Sequence, residues 1–482
     1  KYELENYLEE HVWAESDESQ RPVVRGLTRA RLHRVDPENY DRPKSPAPVG
    51  DQITATQLTP DTSYIDLFKH FNVAIRNKHL MFPKDGSAYQ IYQRMGNAPE
   101  AQRLKSRMKI ILGTKLQDLP QKALNDYITS PASELKKRFT AKDDYQYYPD
   151  YLALAIKLQG EDNPLSKPLK SKHHYFKGLN YRLEAEEQAN KDELYNLGLA
   201  EQNKALDFDP EGSHIYNEIG IIYRELQNPS EAEANFLTAN ALSPKWSLPL
   251  NNLAITYKEM DGMMEEAVEK YQEAIDLDTT LALPYYNLAK LYDDKGSYDQ
   301  AIPIYLKSIS LDDSYADAFY NLGRIYAITN QPVEETEKLL DRYYELDAAG
   351  AYDYLAMKAY LYNKNQLYEK AIEVNQAIYD LDNSEVTRLR TIGFYEKELG
   401  HLEKAESAFD AYIQLVPEDK MAFLGRSESL VLQGKDKQAL KDLSQALELD
   451  TELWNIIAEE PSFEGLKGDK VFEKLRMQYE KN

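Results

Sequence analysis

Three asparagines, Asn252, Asn287 and Asn321, recur at spacings of 35 and 34 residues. A carboxamide donates and accepts hydrogen bonds at once, so it can grip a peptide bond. A ladder of such amides would hold an extended polypeptide by its backbone with little sequence preference. Asn251, Tyr286, Lys290, Tyr320 and Arg324 fall at neighbouring positions of the same pattern. These eight residues form the candidate binding groove, with Lys290 and Arg324 as sites for acidic groups of a ligand. The chemistry expected from them is recognition.

Residues for covalent chemistry are scarce. The chain has no cysteine, which removes thiolate nucleophiles, thiolate metal sites and disulfides. His173-His174 is the one adjacent histidine pair, without further ligands at metal-binding spacing, and reads as structural or surface. No His-Glu-x-x-His, Gly-x-Ser-x-Gly or Gly-x-Gly-x-x-Gly pattern occurs. Asp143-Asp144 and Glu459-Glu460 read as solvated charge. The expectation is therefore a non-enzymatic chain with no catalytic residue, no cofactor and no metal.

The formal charge of −23 repels phosphate backbones and anionic lipid surfaces, which disfavours nucleic-acid and membrane partners. No segment is long and apolar enough to span a bilayer, and Lys1–Glu5 does not resemble a signal peptide. The chain does not begin with Met, so processing or trimming at the N-terminus is expected. A cytoplasmic location is the corresponding expectation.

The elements that must position the asparagines follow from a period of 34–35 residues. Ala232, Ala267, Ala301, Ala371, Ala405 and Ala439 lie on one comb. Phe236, Tyr271, Tyr305, Phe409 and Leu443 follow five of them by four residues, one turn along a helix face. Ile219, Leu253, Leu288 and Leu322 form a second comb, and Tyr223, Tyr257, Tyr292 and Tyr326 a third. Such a period predicts two-helix units that bury their apolar faces only by stacking. Gly220, Ala254, Ala289 and Gly323 let paired helices approach. Gly262, Gly296, Asn330, Gly400 and Gly434 sit where a left-handed residue ends the first helix, and Pro210, Pro244 and Pro417 close units. Tyrosines outnumber phenylalanines, 37 to 13, as expected of rings buried between helices with hydroxyls reaching water.

The organisation expected is an arm or linker over 1–63, charged and then proline-rich, with a helix near Tyr2–Trp13. A helical region follows over 64–170, a solenoid of about eight units over 171–453, and capping helices over 454–482. The solenoid begins with a degenerate unit, His174–Pro210. Units then follow at 213–246, 247–281, 282–315, 316–351, 352–385, 386–419 and 420–453. In 64–170, Ser87 is placed to cap a helix over Ala88–Met95, and Pro99 to start one ending at Leu112. Further helices are expected at 115–128, 131–139 and 147–158.

Tyr216-x2-Ile219-Gly220-x2-Tyr223 with Ala232-x3-Phe236-x2-Ala239-x4-Pro244 resembles a tetratricopeptide repeat. Tyr285-x2-Leu288-Ala289-x2-Tyr292 with Ala301-x3-Tyr305 resembles it too, and the likeness covers roughly 174–453. It implies an all-α, right-handed superhelical solenoid whose first helices line a concave face, where the eight candidate residues fall. It also implies a scaffold or adaptor that binds a protein or peptide, within a larger complex. Asparagine is common at this repeat position, so scaffold consensus is the competing reading of the ladder. In the family's clamp for chaperone carboxylates, the five positions map to Asn251, Ile255, Asn287, Asp317 and Asn321, and only Asn287 matches.

Pro461-x-Phe463-x2-Leu466-x2-Asp469-x2-Phe472-x2-Leu475 resembles the closing segment of bacterial members, which implies a bacterial-type array with a docked tail. Gly86-Ser87-Ala88-Tyr89-x2-Tyr92 and Ala123-Leu124-Asn125-x-Tyr127 resemble the helical lead-in of bacterial multidomain regulators. Two further functions stand beside the scaffold: a regulatory subunit, protease substrate or effector in a bacterial multiprotein system, and, more weakly, a glycan-binding surface protein.

Overall fold

The computed structural model describes residues 63–129, 145–186, 188 and 190–480. These residues fall in one compact unit, Thr59–Asn482. The expected arm and helix within 1–62, the expected helix at 131–139 and the Asp143-Asp144 pair lie outside the described residues. Every regular element among those described is helical.

The N-terminal group consists of α1 (Tyr64–Arg76), α2 (Ala88–Arg94), α3 (Pro99–Thr129) and α4 (Tyr148–Gln159). Ser87 caps α2 as expected, its side chain accepting from the Gln90 amide. The helices expected at 99–112 and 115–128 are one helix, α3, running through Gly113 and Pro120. A continuous buried stripe explains the difference: Leu104, Met108, Leu112, Leu116, Leu124 and Tyr127 are all buried. Each large apolar side chain buried contributes ~1.5–3 kcal/mol, whereas a mid-helix glycine costs about 1 kcal/mol and a proline about 3 kcal/mol.

Eight helix pairs follow. They are α5 (Lys167–Ala185) with α6 (Lys191–Phe208), α7 (Ser213–Glu225) with α8 (Pro229–Leu242), and α9 (Leu248–Glu259) with α10 (Met264–Leu277). Next come α11 (Ala282–Asp294) with α12 (Tyr298–Leu311), α13 (Ala316–Ile328) with α14 (Val333–Leu346), and α15 (Ala351–Lys364) with α16 (Tyr368–Leu381). The array ends with α17 (Thr387–Glu398) and α18 (Leu402–Leu415), then α19 (Lys420–Leu432) and α20 (Asp436–Leu449).

The combs are the helix contacts. All six alanines are fully buried, as are Phe236, Tyr305, Phe409 and Leu443 four residues on. Thr336 fills the comb's missing place in the 316–351 unit, its hydroxyl donating to the Pro332 carbonyl at 3.0 Å. The small residues are required by close approach: a Cβ on Gly220 would lie 2.6 Å from the Phe236 ring. The expected left-handed turns are present at Gly262, Gly296, Asn330, Gly400 and Gly434. Gln227 and Gln366 adopt the same conformation at φ 56° and 57° in the units that lack a glycine there.

The array closes with α21 (Trp454–Glu459), a 3-10 turn over Pro461–Leu466 and α22 (Lys470–Tyr479). Phe463, Leu466, Phe472 and Leu475 are buried in one cluster with Phe423, Leu443, Leu447 and Trp454. The tail thus covers the apolar face that the last pair would otherwise expose.

Candidate functional site

First helices of successive units touch along much of the array: α5 meets α7, α7 meets α9, α9 meets α11, α11 meets α13, α13 meets α15 and α17 meets α19. These helices form the inner wall of the array, and the candidate residues sit on three of them. Asn251 and Asn252 are on α9, Tyr286, Asn287 and Lys290 on α11, and Tyr320, Asn321 and Arg324 on α13.

The asparagine comb is a chain of bonds between units. Asn252 Nδ2 donates to Asn217 Oδ1 at 3.1 Å, and Asn287 Nδ2 to Asn251 Oδ1 at 2.9 Å. Asn321 Nδ2 donates to the Tyr286 hydroxyl at 3.3 Å. Each comb asparagine therefore reaches the residue one place ahead of its equivalent in the preceding unit. Asn251 and Asn252 are buried and also bonded to each other at 3.4 Å. Asn287 and Asn321 are half-buried. Each keeps an amide oxygen beyond its ladder bond, able to accept from a peptide N–H.

The two cations are engaged within the wall. Lys290 Nζ lies 3.4 Å from Asp294 Oδ1, and Lys258 Nζ lies 2.6 Å from the other oxygen. Burial alone would raise the Asp294 carboxyl, but the two ammonium groups overcome it and hold it below the usual range. Arg324 contacts both carboxylate oxygens of buried Asp293, which the Tyr305 hydroxyl also approaches at 3.4 Å. Burial pushes the Tyr305 phenol far up, and neighbouring Asp293 pushes it further. Tyr286 is buried against Tyr315, ring centroids 4.5 Å apart, and Tyr320 lies on Tyr343 at 5.0 Å.

The wall changes character along its length. Tyr175, His214, Asn217, Asn251, Asn252 and Tyr286 are buried, whereas Lys290, Tyr320, Asn321 and Arg324 are half-buried and Asp317, Asp353 and Tyr360 are exposed. The structure thus separates the eight candidates: Asn251, Asn252 and Tyr286 in a closed stretch, the other five in an open one. Asn217, Tyr127 and Trp246 meet at the closed stretch and were not among the eight candidates. Asn217 Nδ2 donates to the Tyr127 hydroxyl of α3 at 2.6 Å, and the Tyr127 ring stands edge-on to Trp246 at 5.2 Å. Asn217 was within reach of the sequence, since it stands 34 residues before Asn251. Its contact with Tyr127, 90 residues away, was not.

The histidine pair is structural. His174 Nδ1 donates to Glu201 Oε2 at 2.6 Å, beside Lys177 and Lys204, and His173 Nδ1 bonds the Pro149 carbonyl at 2.9 Å. Burial works to raise the Glu201 carboxyl, but its three donors hold it down at about 2. Glu459 is exposed, and Glu460 accepts from the Ser462 amide. Among the described residues, no three histidine or carboxylate groups are placed to hold a metal, and no helix is long and apolar enough to cross a membrane.

Family models place this architecture. A "TPR repeat" model matches residues 262–296 and 292–327, and "Tetratricopeptide repeat" models match 395–452 and 213–245. A stretch of 102 residues is 28% identical to a probable UDP-N-acetylglucosamine–peptide N-acetylglucosaminyltransferase, SPINDLY, of Hordeum vulgare. It takes in 20% of this chain and 11% of that protein, so the chain spans about a ninth of that relative's length. Among solved structures, YrrB, described as a TPR protein with an unusual peptide-binding site, is 22% identical with a TM-score of 0.33, covering 38% of this chain and 93% of that one. The C-terminal part of a TPR repeat-containing protein from Cytophaga hutchinsonii is 21% identical with a TM-score of 0.39, covering 51% and 98%. The matched segments fall within the stacked helices whose alanine, aromatic and glycine positions meet as the repeat requires, and the array over 213–245, 262–327 and 395–452 is built of tetratricopeptide repeats.

Proposed function

We propose that this chain is a non-enzymatic scaffold that holds an extended polypeptide along the open stretch of its inner wall, from Asn287 to Tyr360. The observation that carries the reading is the change in the wall itself. Beyond Tyr286 the first helices present half-buried amides and tyrosines, the amphipathic surface that binds polypeptides at low ordering cost. The ladder bonds fix Asn287 and Asn321 in place, so a ligand meets pre-oriented groups. Lys290 and Arg324 are paired with Asp294 and Asp293, whereas Asp317 and Asp353 on the same wall make no ion pair among the described residues. A partner segment bearing cations suits this stretch better than the acidic ligand expected from Lys290 and Arg324.

The test is selection of peptides from a displayed library on the full chain, followed by affinity measurement on Tyr320→Ala and Asn321→Ala. Loss of about tenfold in affinity, or 1.4 kcal/mol, supports the open wall. Affinity unchanged in both variants moves binding elsewhere.

A regulatory subunit, protease substrate or effector whose specificity lies in residues 1–170 is the second reading. The contact between Tyr127 and the array favours it, because it joins that region to the wall.

A further inference from the structure

Helix α3 packs on α1, α2 and α4 through most of its length. Its last turns reach the repeat array. Gln121 accepts a hydrogen bond from Lys172 on α5. Tyr127 accepts from Asn217 on α7 and packs on Trp246, in a buried group with Leu248, which opens α9, and Leu281, which precedes α11. From Gln121 to Tyr127 a helix advances ~9 Å. Over that short run it engages three successive units, as a ligand lying along the wall would.

The chemistry of the contact is that of the ladder. Asn217 is the equivalent of Asn251, and both accept on Oδ1 from the comb asparagine of the next unit. Asn217 then spends its Nδ2 on a phenol from outside the array. One side of the amide serves the neighbouring unit and the other reads an incoming group.

The seated segment also has a built-in point of release. Pro120 lies inside α3, two turns before Tyr127, and has no N–H for the Leu116 carbonyl. Beyond it the helix is held locally by Gln121 with Asn125 and Lys122 with Asp126 on its exposed side. A break there would free residues 121–129, with buried Ala123, Leu124 and Tyr127, and leave the stripe from Leu104 to Leu116 packed.

We propose that the C-terminal end of α3, residues 121–127, is an internal ligand of the array. It fills the inner wall over α5 to α9 and confines outside partners to the stretch beyond Tyr286. A polypeptide that presents a tyrosine to Asn217 and Trp246 competes with it. The inference rests on the inner wall being a polypeptide site.

A fluorescent peptide of residues 115–129 tests it, titrated by anisotropy against the full chain and its Tyr127→Ala variant. The variant is expected to bind the peptide at least about tenfold more tightly than the parent. A peptide with alanine in place of the tyrosine should lose that gain, as should Asn217→Ala added to the variant. Equal binding by parent and variant overturns the proposal, as does absence of binding to a variant whose circular dichroism is unchanged. If Tyr127→Ala does not fold, Tyr127→Phe keeps the ring and removes the hydroxyl. It should admit the peptide about threefold better than the parent does, one lost hydrogen bond's share, and no difference overturns the proposal. Library-selected peptides still lose affinity in Tyr320→Ala and Asn321→Ala if only this proposal fails, and keep it in both variants if the open-wall reading fails.

Discussion

Asn287 donates its Nδ2 to Oδ1 of Asn251, the residue one place ahead of its equivalent on the preceding first helix, at 2.9 Å. The same step joins Asn252 to Asn217 and Asn321 to Tyr286. The asparagines therefore fasten successive units together, and of the three comb asparagines only Asn287 and Asn321 keep part of the side chain exposed. Asn252→Ala leaves the Asn217 oxygen and the Asn251 amide without these partners in a buried site. It should lower stability by about 1–3 kcal/mol, whereas Asn321→Ala should cost about 1 kcal/mol or less. Urea unfolding followed by circular dichroism separates the two, and equal costs would place both asparagines in the same environment.

Ala301 is fully buried between paired helices, with Tyr305 one turn along. Ala301→Leu adds a branched side chain where there is no room. The expected loss is about 1–3 kcal/mol, and an unchanged melting temperature would mean that the helices separate freely.

Gln227 and Gln366 hold the left-handed turn that glycine fills in four other units. A side chain there costs roughly 1–2 kcal/mol, offset in part by glycine's greater freedom when unfolded. Gln227→Gly and Gln366→Gly should each raise stability by about 0.5–1 kcal/mol, and the reverse change at Gly296 should lower it. Thermal melts of the three variants suffice, and a loss at Gln227→Gly would show that its side chain carries a contact of its own.

Deletion of 461–482 removes Phe463, Leu466, Phe472 and Leu475 from the last cluster. Phe423, Leu443 and Trp454 then face water, and such a patch promotes self-association. Light scattering of the truncated chain should show aggregation. A monomeric truncation that melts like the parent would remove the capping role.

Glu201 provides a pH signature. His174, Lys177 and Lys204 hold its carboxyl down at about 2, below the ordinary glutamate value near 4.3. A lowered folded value stabilises the fold above the unfolded value. That stabilisation is lost as pH falls from ordinary carboxylate titration toward 2. Glu201→Gln should flatten the acid limb of the stability curve over that window and change it little from pH 5 to 6. A parallel acid limb in the variant would show that the three donors do not favour the ionised form.

The helix pairs, their turns and the docked tail were legible in the sequence. A period of 34 residues puts Ala232, Ala267 and Ala301 in one repeated environment, and a left-handed glycine at each first-helix end marks the boundary. These are local rules, satisfied within a unit and its neighbour. The single helix α3 was less legible, because Gly113 and Pro120 suggest breaks that the burial from Leu104 to Tyr127 overrides.

The candidate site was legible only as positions. Spacing places Asn252, Lys290 and Arg324 on the inner wall but does not say what they meet there. Lys290 finds Asp294 one turn on, a pair the spacing allows, but Arg324 finds Asp293 31 residues back. Tyr127 finds Asn217 across 90 residues. Those contacts depend on how closely the stacked units bring their first helices together and on where α3 ends in space. Sequence period fixes which face a residue occupies; the curvature of the stacked array decides whether that face meets another unit, the chain's own N-terminal helix or a partner.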